Sequence, residues 1–218
     1  MIKKPTIQQQ QDFLFQAYFG AKGDKYDKFI SRAYRDMNRT FRGIGQFNDE
    51  RKSEILNGAK IKIKEALSAL LEKPVSANKE QWRYGFDQWH GDLCNVLKSY
   101  YDTSLGQDTK TRLTYGQAQK WINMTLKYCW VCGRDNTHWF SVAHVAVDEI
   151  ILIAAQREEV IAKRPCRKWS VWDNRQEYQV FQNSFRDFAA KKNKTPLELE
   201  FDWWLKYRSH IMGFENDN

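Results

Sequence analysis

The sequence predicts an all-α fold of seven or eight helices, and three observations carry that prediction. The four prolines, Pro5, Pro74, Pro165 and Pro196, each stand at an apparent boundary, and the long stretches between them are proline-free. Within those stretches the apolar residues recur at the 3.6-residue spacing of a helix with one buried face. Four prolines and eleven glycines in 218 residues are also too few for an all-β sandwich or barrel built on tight turns.

The elements follow in order. Asp24 to Arg42 places Tyr26, Phe29, Ile30, Ala33, Met37 and Phe41 on one stripe. A second helix opens at Asp49 and turns Ile55, Ala59, Ile63, Ala66, Leu67 and Leu70 inward. It stops at Lys73-Pro74, because proline cannot continue a helix. A third runs from Asn78 to Tyr101 through Trp82, Phe86, Trp89, Leu93 and Leu97, and Asp102 to Lys110 is a polar connector. The fourth begins after Tyr115-Gly116, with Ala118, Trp121, Ile122, Thr125, Tyr128, Cys129 and Cys132 on its buried face; Arg134 to Ser141 reads as a loop.

The fifth spans residues 147–162. Its apolar start, residues 150–155, is compatible with a buried strand, but Gln156-Arg157-Glu158-Glu159 favours a helix. Asn174 to Lys192 makes the sixth. The last opens on Thr195-Pro196-Leu197-Glu198, with threonine as cap, proline in the first turn and glutamate at the third position. The length fits a single helical domain over residues 1–218, or two lobes, 1–105 and 106–218, around a cleft.

Composition narrows the function classes. Apolar residues make up 42% and aromatic residues 15%, which is enough for a sizeable core, so disorder is not expected. A mean hydropathy of −0.74 and the lack of a long uncharged apolar run exclude a membrane span. Met1-Ile2-Lys3-Lys4 leads into Gln8–Gln11 rather than an apolar stretch, so no signal peptide is expected. Cys94, Cys129, Cys132 and Cys166 are then read as reduced thiols in a cytoplasmic protein. The net charge of +8 favours a polyanionic partner, nucleic acid before others, although charge alone does not show clustering.

One constellation stands out. Leu113-Thr-Tyr-Gly116-Gln117-Ala118-Gln119-Lys120-Trp121 opens a largely apolar helix, and His144-Val-Ala-Val-Asp148 opens the next one. An aspartate there sits where unpaired helix amides stabilise its charge. The arrangement resembles the helix-hairpin-helix DNA glycosylases, in particular the 8-oxoguanine glycosylase/lyase branch. In that family a lysine opens the second helix of the hairpin and an aspartate follows one helix and a loop later. The likeness spans roughly 40 residues. Of the family's Leu-Pro-Gly-Val-Gly hairpin only Gly116 is present, and Ala118 stands where a second glycine would.

The resemblance implies an all-α fold that grips DNA through the hairpin backbone and turns a base into a pocket. Lys120 and Asp148 would be its catalytic pair, with Gly116, Gln117, Gln119, Trp121 and His144 around the substrate. A neutral lysine amine attacks the sugar, and an ionised aspartate stabilises the charge that develops there. The same segment is also similar to a group of uncharacterised bacterial proteins, which implies no function.

Other residues invite separate readings. Lys163, Arg164, Arg167 and Lys168 form the densest basic cluster, which is either a phosphate grip or a solvated loop. Trp169, Trp172, Trp203 and Trp204 are base-stacking platforms or core. Cys129, Cys132, His138 and His144 hold the elements of a zinc site, but helix-buried thiols explain the cysteines as well, and no metal is expected. Arg83 and His90 fit the loose Arg/His pattern of HEPN ribonucleases. With no P-loop, dinucleotide fingerprint or His-Glu-x-x-His, no cofactor is expected. The function expected is removal of a modified or damaged base from DNA. The alternatives are a non-catalytic nucleic-acid-binding or interaction protein and, behind these, a HEPN-like ribonuclease.

Overall fold

The computed structural model describes residues 5–21, 23–41, 45, 47–73, 78–106, 112–133, 138–163, 165 and 167–211. These residues form eight α-helices: α1 (Ile7–Phe19), α2 (Lys25–Asn38), α3 (Asp49–Glu72), α4 (Lys79–Leu105), α5 (Tyr115–Cys132), α6 (Glu149–Arg157), α7 (Arg175–Lys191) and α8 (Pro196–Ile211). Two 3-10 turns, His138–Ser141 and Trp169–Val171, lie between helices. There is no strand among the described residues, and no helix there is long and apolar enough to cross a membrane.

Local chemistry sets most of the helix starts. Asp24, Asn48, Asn78 and Asn174 each accept first-turn amides through a side-chain oxygen. Thr195 and Glu198 exchange the reciprocal bonds of a capping box at the start of α8, as the Thr-Pro-Leu-Glu run predicts. α1 is an addition to the sequence reading. Thr6 and Gln9 form a capping box, but the helix has no fully buried residue and hence no strong stripe; only Phe15 and Phe19 are half-buried. The α4 pattern runs on to Leu105, which is buried, rather than stopping at Tyr101. The fifth predicted helix is shorter than expected. It starts after Asp148 and ends at Arg157, followed by Glu159 at a positive φ of 60°.

α5 is the axis of the molecule. Thirteen of its eighteen residues are buried, on every side of the helix. It packs against α2, α4 and the turn Trp169–Val171, while α3 pairs with α4 and α8 covers α6 and α7. Phe29, Ile30, Ala33 and Met37 of α2 meet Trp121, Ile122 and Leu126 of α5 in one continuous core. Trp121 is fully buried, and its indole N–H donates to the Ile30 carbonyl at 2.9 Å.

The segment Val142–Val147 is wholly buried yet irregular. Buried backbone groups need partners, and here side chains supply them. Gln182 brackets Val145, accepting from its N–H at 3.0 Å and donating to its C=O at 2.9 Å. Gln119 does the same at Val147. Asn123 donates to the Val145 carbonyl, and Arg186 donates to that of Val142. This clamp between α5 and α7 delivers the chain to Asp148.

Candidate active site

Lys120 and Asp148, 28 residues apart in sequence, meet. The ammonium Nζ donates to Asp148 Oδ2 at 2.7 Å. Lys120 is 6% exposed, and the Asp148 side chain 17%. The other carboxylate oxygen, Oδ1, accepts the Ile151 amide at 2.9 Å and caps α6. Burial pushes the Asp148 carboxyl up, but the charge and hydrogen bond of Lys120, the Ile151 amide and the charge of nearby Lys127 outweigh it. The group lies below the usual carboxylate range and is ionised at neutral pH. Lys127 is itself paired with Glu200 at 2.9 Å in the core, between α5 and α8.

The pair lines a cleft of about 300 Å³. Met124 and Tyr128 continue the Lys120 face of α5, one and two turns on, and Tyr18 of α1, Asp36 and Arg39 form another wall. Glu149 and Ile150 at the start of α6, with Trp169, Trp204 and Arg208, complete it. Both tryptophans are half-buried, and the Arg208 guanidinium lies 4.4 Å from the centre of the Trp204 ring. The Tyr128 hydroxyl donates to Asp36 and stands 3.0 Å from that of Tyr18. Burial and the Asp36 carboxylate push the Tyr128 phenol up, so it remains a donor. The cleft therefore joins an ion pair, aromatic faces and two exposed arginines in a space at the lower end of small-molecule sites.

Five residues expected around a substrate lie elsewhere. Gln117 caps its own helix with Thr114 and donates to the Thr40 carbonyl. Gln119 is committed to the backbone clamp, and Trp121 to the core against α2. Gly116 is pressed against the backbone of Trp169. His144 is fully buried, with Nε2 2.8 Å from Asp87 and Nδ1 3.0 Å from the Tyr178 hydroxyl. Asp87 is also held by Arg186 at 2.7 Å. Burial, then the nearby Arg186 charge, lowers the His144 pKa to about 4 despite Asp87, so the ring is neutral. These side chains support the site from behind and do not line it.

The start of α5 also differs from what the glycosylase resemblance implies. A hairpin that grips phosphate needs free backbone amides. Here Tyr115 N–H donates to Asp173 at 2.9 Å, Gly116 N–H to the Trp172 carbonyl at 2.8 Å and Gln117 N–H to Thr114 at 3.1 Å. All three are taken within the molecule. Residues 107–111 of the preceding connector lie outside the described residues.

The remaining candidates separate in the same way. Lys163, Arg167 and Lys168 are exposed on the chain leading into Trp169, and Arg164 lies outside the described residues. Trp172 and Trp203 belong to the core. His90 is fully buried and stacked on Tyr178, whereas Arg83 reaches out to Asn183 and Asp187, so the pair cannot act together on a ribose. Cys129 is buried and His138 rests on Trp82; among the described residues no three metal-ligating side chains gather. No protein-family model, curated protein or solved structure matches this chain. Sequence reasoning missed Tyr18, Asp36, Arg39, Met124, Tyr128 and Arg208. The spacing of Lys120, Met124 and Tyr128 at i, i+4 and i+8 was the available signal for one wall.

Proposed function

We propose that this protein is a DNA glycosylase-like enzyme that removes a modified or damaged base, with Lys120 as nucleophile and Asp148 as the stabilising carboxylate. The observation that carries the reading is the Lys120–Asp148 pair at 2.7 Å inside a cleft walled by Trp169, Trp204, Arg39 and Arg208. Trp169 offers a face on which an extruded base stacks, Trp204 offers another once the exposed Arg208 guanidinium swings off its ring, and Arg208 and Arg39 then supply charge to the flanking phosphates. Lys120 gives up one proton, and its Nζ attacks C1′ of the sugar. The C1′–N bond breaks, its electron pair leaves with the base, and the base takes up the proton. Asp148 stays ionised throughout and stabilises the positive charge at C1′. The nitrogen then passes a second proton to O4′ as the C1′–O4′ bond breaks, and its electron pair forms the C=N bond of a protonated imine between Lys120 and the ring-opened sugar.

A second reading rests on one observation: Asp148 already caps α6, and Lys120 serves as its counter-ion. Under it the pair holds the fold, and the cleft binds nucleic acid without cutting it. Borohydride trapping separates the two. Wild-type protein is incubated with oligonucleotides carrying abasic and oxidised sites, then reduced. The glycosylase reading expects a covalent adduct that Lys120→Ala abolishes while circular dichroism and oligonucleotide binding persist. Binding with no adduct and no base release on any of these substrates refutes it.

A further inference from the structure

We infer that the cleft takes its base from a single-stranded polynucleotide laid along the basic segment before Trp169, an inference that rests on the reading that this cleft accepts a nucleobase. Two groups of observations carry it. The first is where the exposed cations stand in the chain and in the cleft. Lys163, Arg167 and Lys168 are exposed, and Lys168 directly precedes Trp169 in the cleft wall. Arg39 and Arg208, both exposed, line the same cleft, with Arg208 over the face of Trp204. Half-buried indoles beside a run of cations are the elements by which proteins hold unpaired strands. Every base offers a face to stack, and each phosphate meets a mobile charge.

The second is the state of the α5 N-terminus. Its first three amides are bonded to Asp173, the Trp172 carbonyl and Thr114, so this end of the helix has no donor left to hold a duplex backbone in register. Taking a base out of a duplex costs a few kcal/mol of pairing and stacking, which other contacts must offset. An unpaired strand carries no pairing cost and only a small stacking one. A chain whose first α5 amides are spent internally, and whose exposed cations adjoin two tryptophans in the cleft wall, is matched to a base already free.

The test is fluorescence anisotropy with labelled oligonucleotides of about 12 residues, as single-stranded DNA, single-stranded RNA and the matching duplex. The full chain is titrated between about 50 and 200 mM salt. The single strand, in at least one of its two sugar forms, is expected to bind at least about tenfold more tightly than the duplex. Arg167→Glu with Lys168→Glu, both on the surface, is expected to weaken single-strand binding and to flatten the log–log salt slope by about 1.4, two phosphates' worth. Trp204→Ala is expected to weaken binding about 5- to 100-fold with the slope unchanged. Equal or tighter duplex binding, no binding at all, or a charge reversal without effect overturns the inference. Covalent trapping on duplex substrates alone would overturn it and leave the glycosylase reading standing. Single-strand binding with no adduct and no base release on any substrate would do the reverse.

Discussion

Replacing Gly116 by alanine probes the joint that places Trp169 in the cleft wall. An ideal Cβ at Gly116 stands 1.9 Å from the Trp169 carbonyl oxygen, 3.1 Å from its carbonyl carbon and 3.3 Å from the Trp172 oxygen. The nearest neighbours are backbone, so no side chain can swing away. The turn Trp169–Val171 must retreat by about 1 Å before that contact reaches the 3.0 Å that real Cβ atoms respect. Three hydrogen bonds tie this turn to the start of α5: Gly116 N–H to Trp172 at 2.8 Å, Tyr115 N–H to Asp173 at 2.9 Å and Thr114 Oγ1 to Ser170 at 2.7 Å. Each is worth about 0.5–1.5 kcal/mol, and alanine returns at most about 1 kcal/mol of helix propensity. The expected loss is about 2–3 kcal/mol.

Gly91→Ala is the control. Its Cβ would meet the Arg175 guanidinium at 2.2 Å, an equally close approach to the far end of a flexible side chain. Arg175 can move, and the net change is expected within about 1 kcal/mol of zero. Urea denaturation followed by tryptophan fluorescence measures both. If Gly116→Ala costs no more than Gly91→Ala, the rigid joint between α5 and the Trp169 turn is refuted.

Further expectations concern the groups behind the site. Gln182→Leu strands the Val145 N–H in the core and leaves the Val145 C=O to Asn123 alone, and should cost about 1–3 kcal/mol in denaturant unfolding, whereas a loss under about 0.5 kcal/mol would deny the clamp. Asp148→Asn keeps an oxygen able to cap α6, but Asp148→Ala removes it, so the alanine variant should be about 1 kcal/mol less stable; equal stabilities would show that the cap contributes nothing. His144 is neutral in the fold, with its pKa lowered to about 4 from 6.5. Between those values the unfolded chain binds more protons, so stability falls as pH drops from about 6.5 to 4, by about 3 kcal/mol for this residue. Its contribution is intact above that window and gone below it. An unfolding free energy that stays flat from pH 7 to 4, or that rises as pH falls, would contradict the buried neutral ring. The lowered Asp148 carboxyl acts in a more acidic range: its contribution is present above the ordinary carboxylate pKa and disappears as pH falls through the depressed value.

Periodicity and caps in the chain were sufficient for the helical fold, because each helix must bury one stripe and satisfy its first amides locally. The Phe29–Ile30–Ala33–Met37 stripe and the Thr195–Glu198 box are where the sequence puts them. α1 escaped notice because most of its residues face water and leave no stripe to read; its Thr6–Gln9 box was the one local sign. Lys120, Asp148, Trp169 and Trp204 could be named from motif and composition, but periodicity could not separate Trp204 from Trp203, or Trp169 from Trp172, one pair in the cleft and the other in the core. On α5 it told even less, since a helix buried on all sides has no polar face, and Gln119, Lys120, Asn123 and Lys127 each found a different distant partner. Those pairings join residues between 22 and 73 positions apart. Local sequence fixes which way a helix turns its apolar stripe. Which polar groups share a buried space is decided only when whole helices pack, by the requirement that every buried donor and charge find a partner.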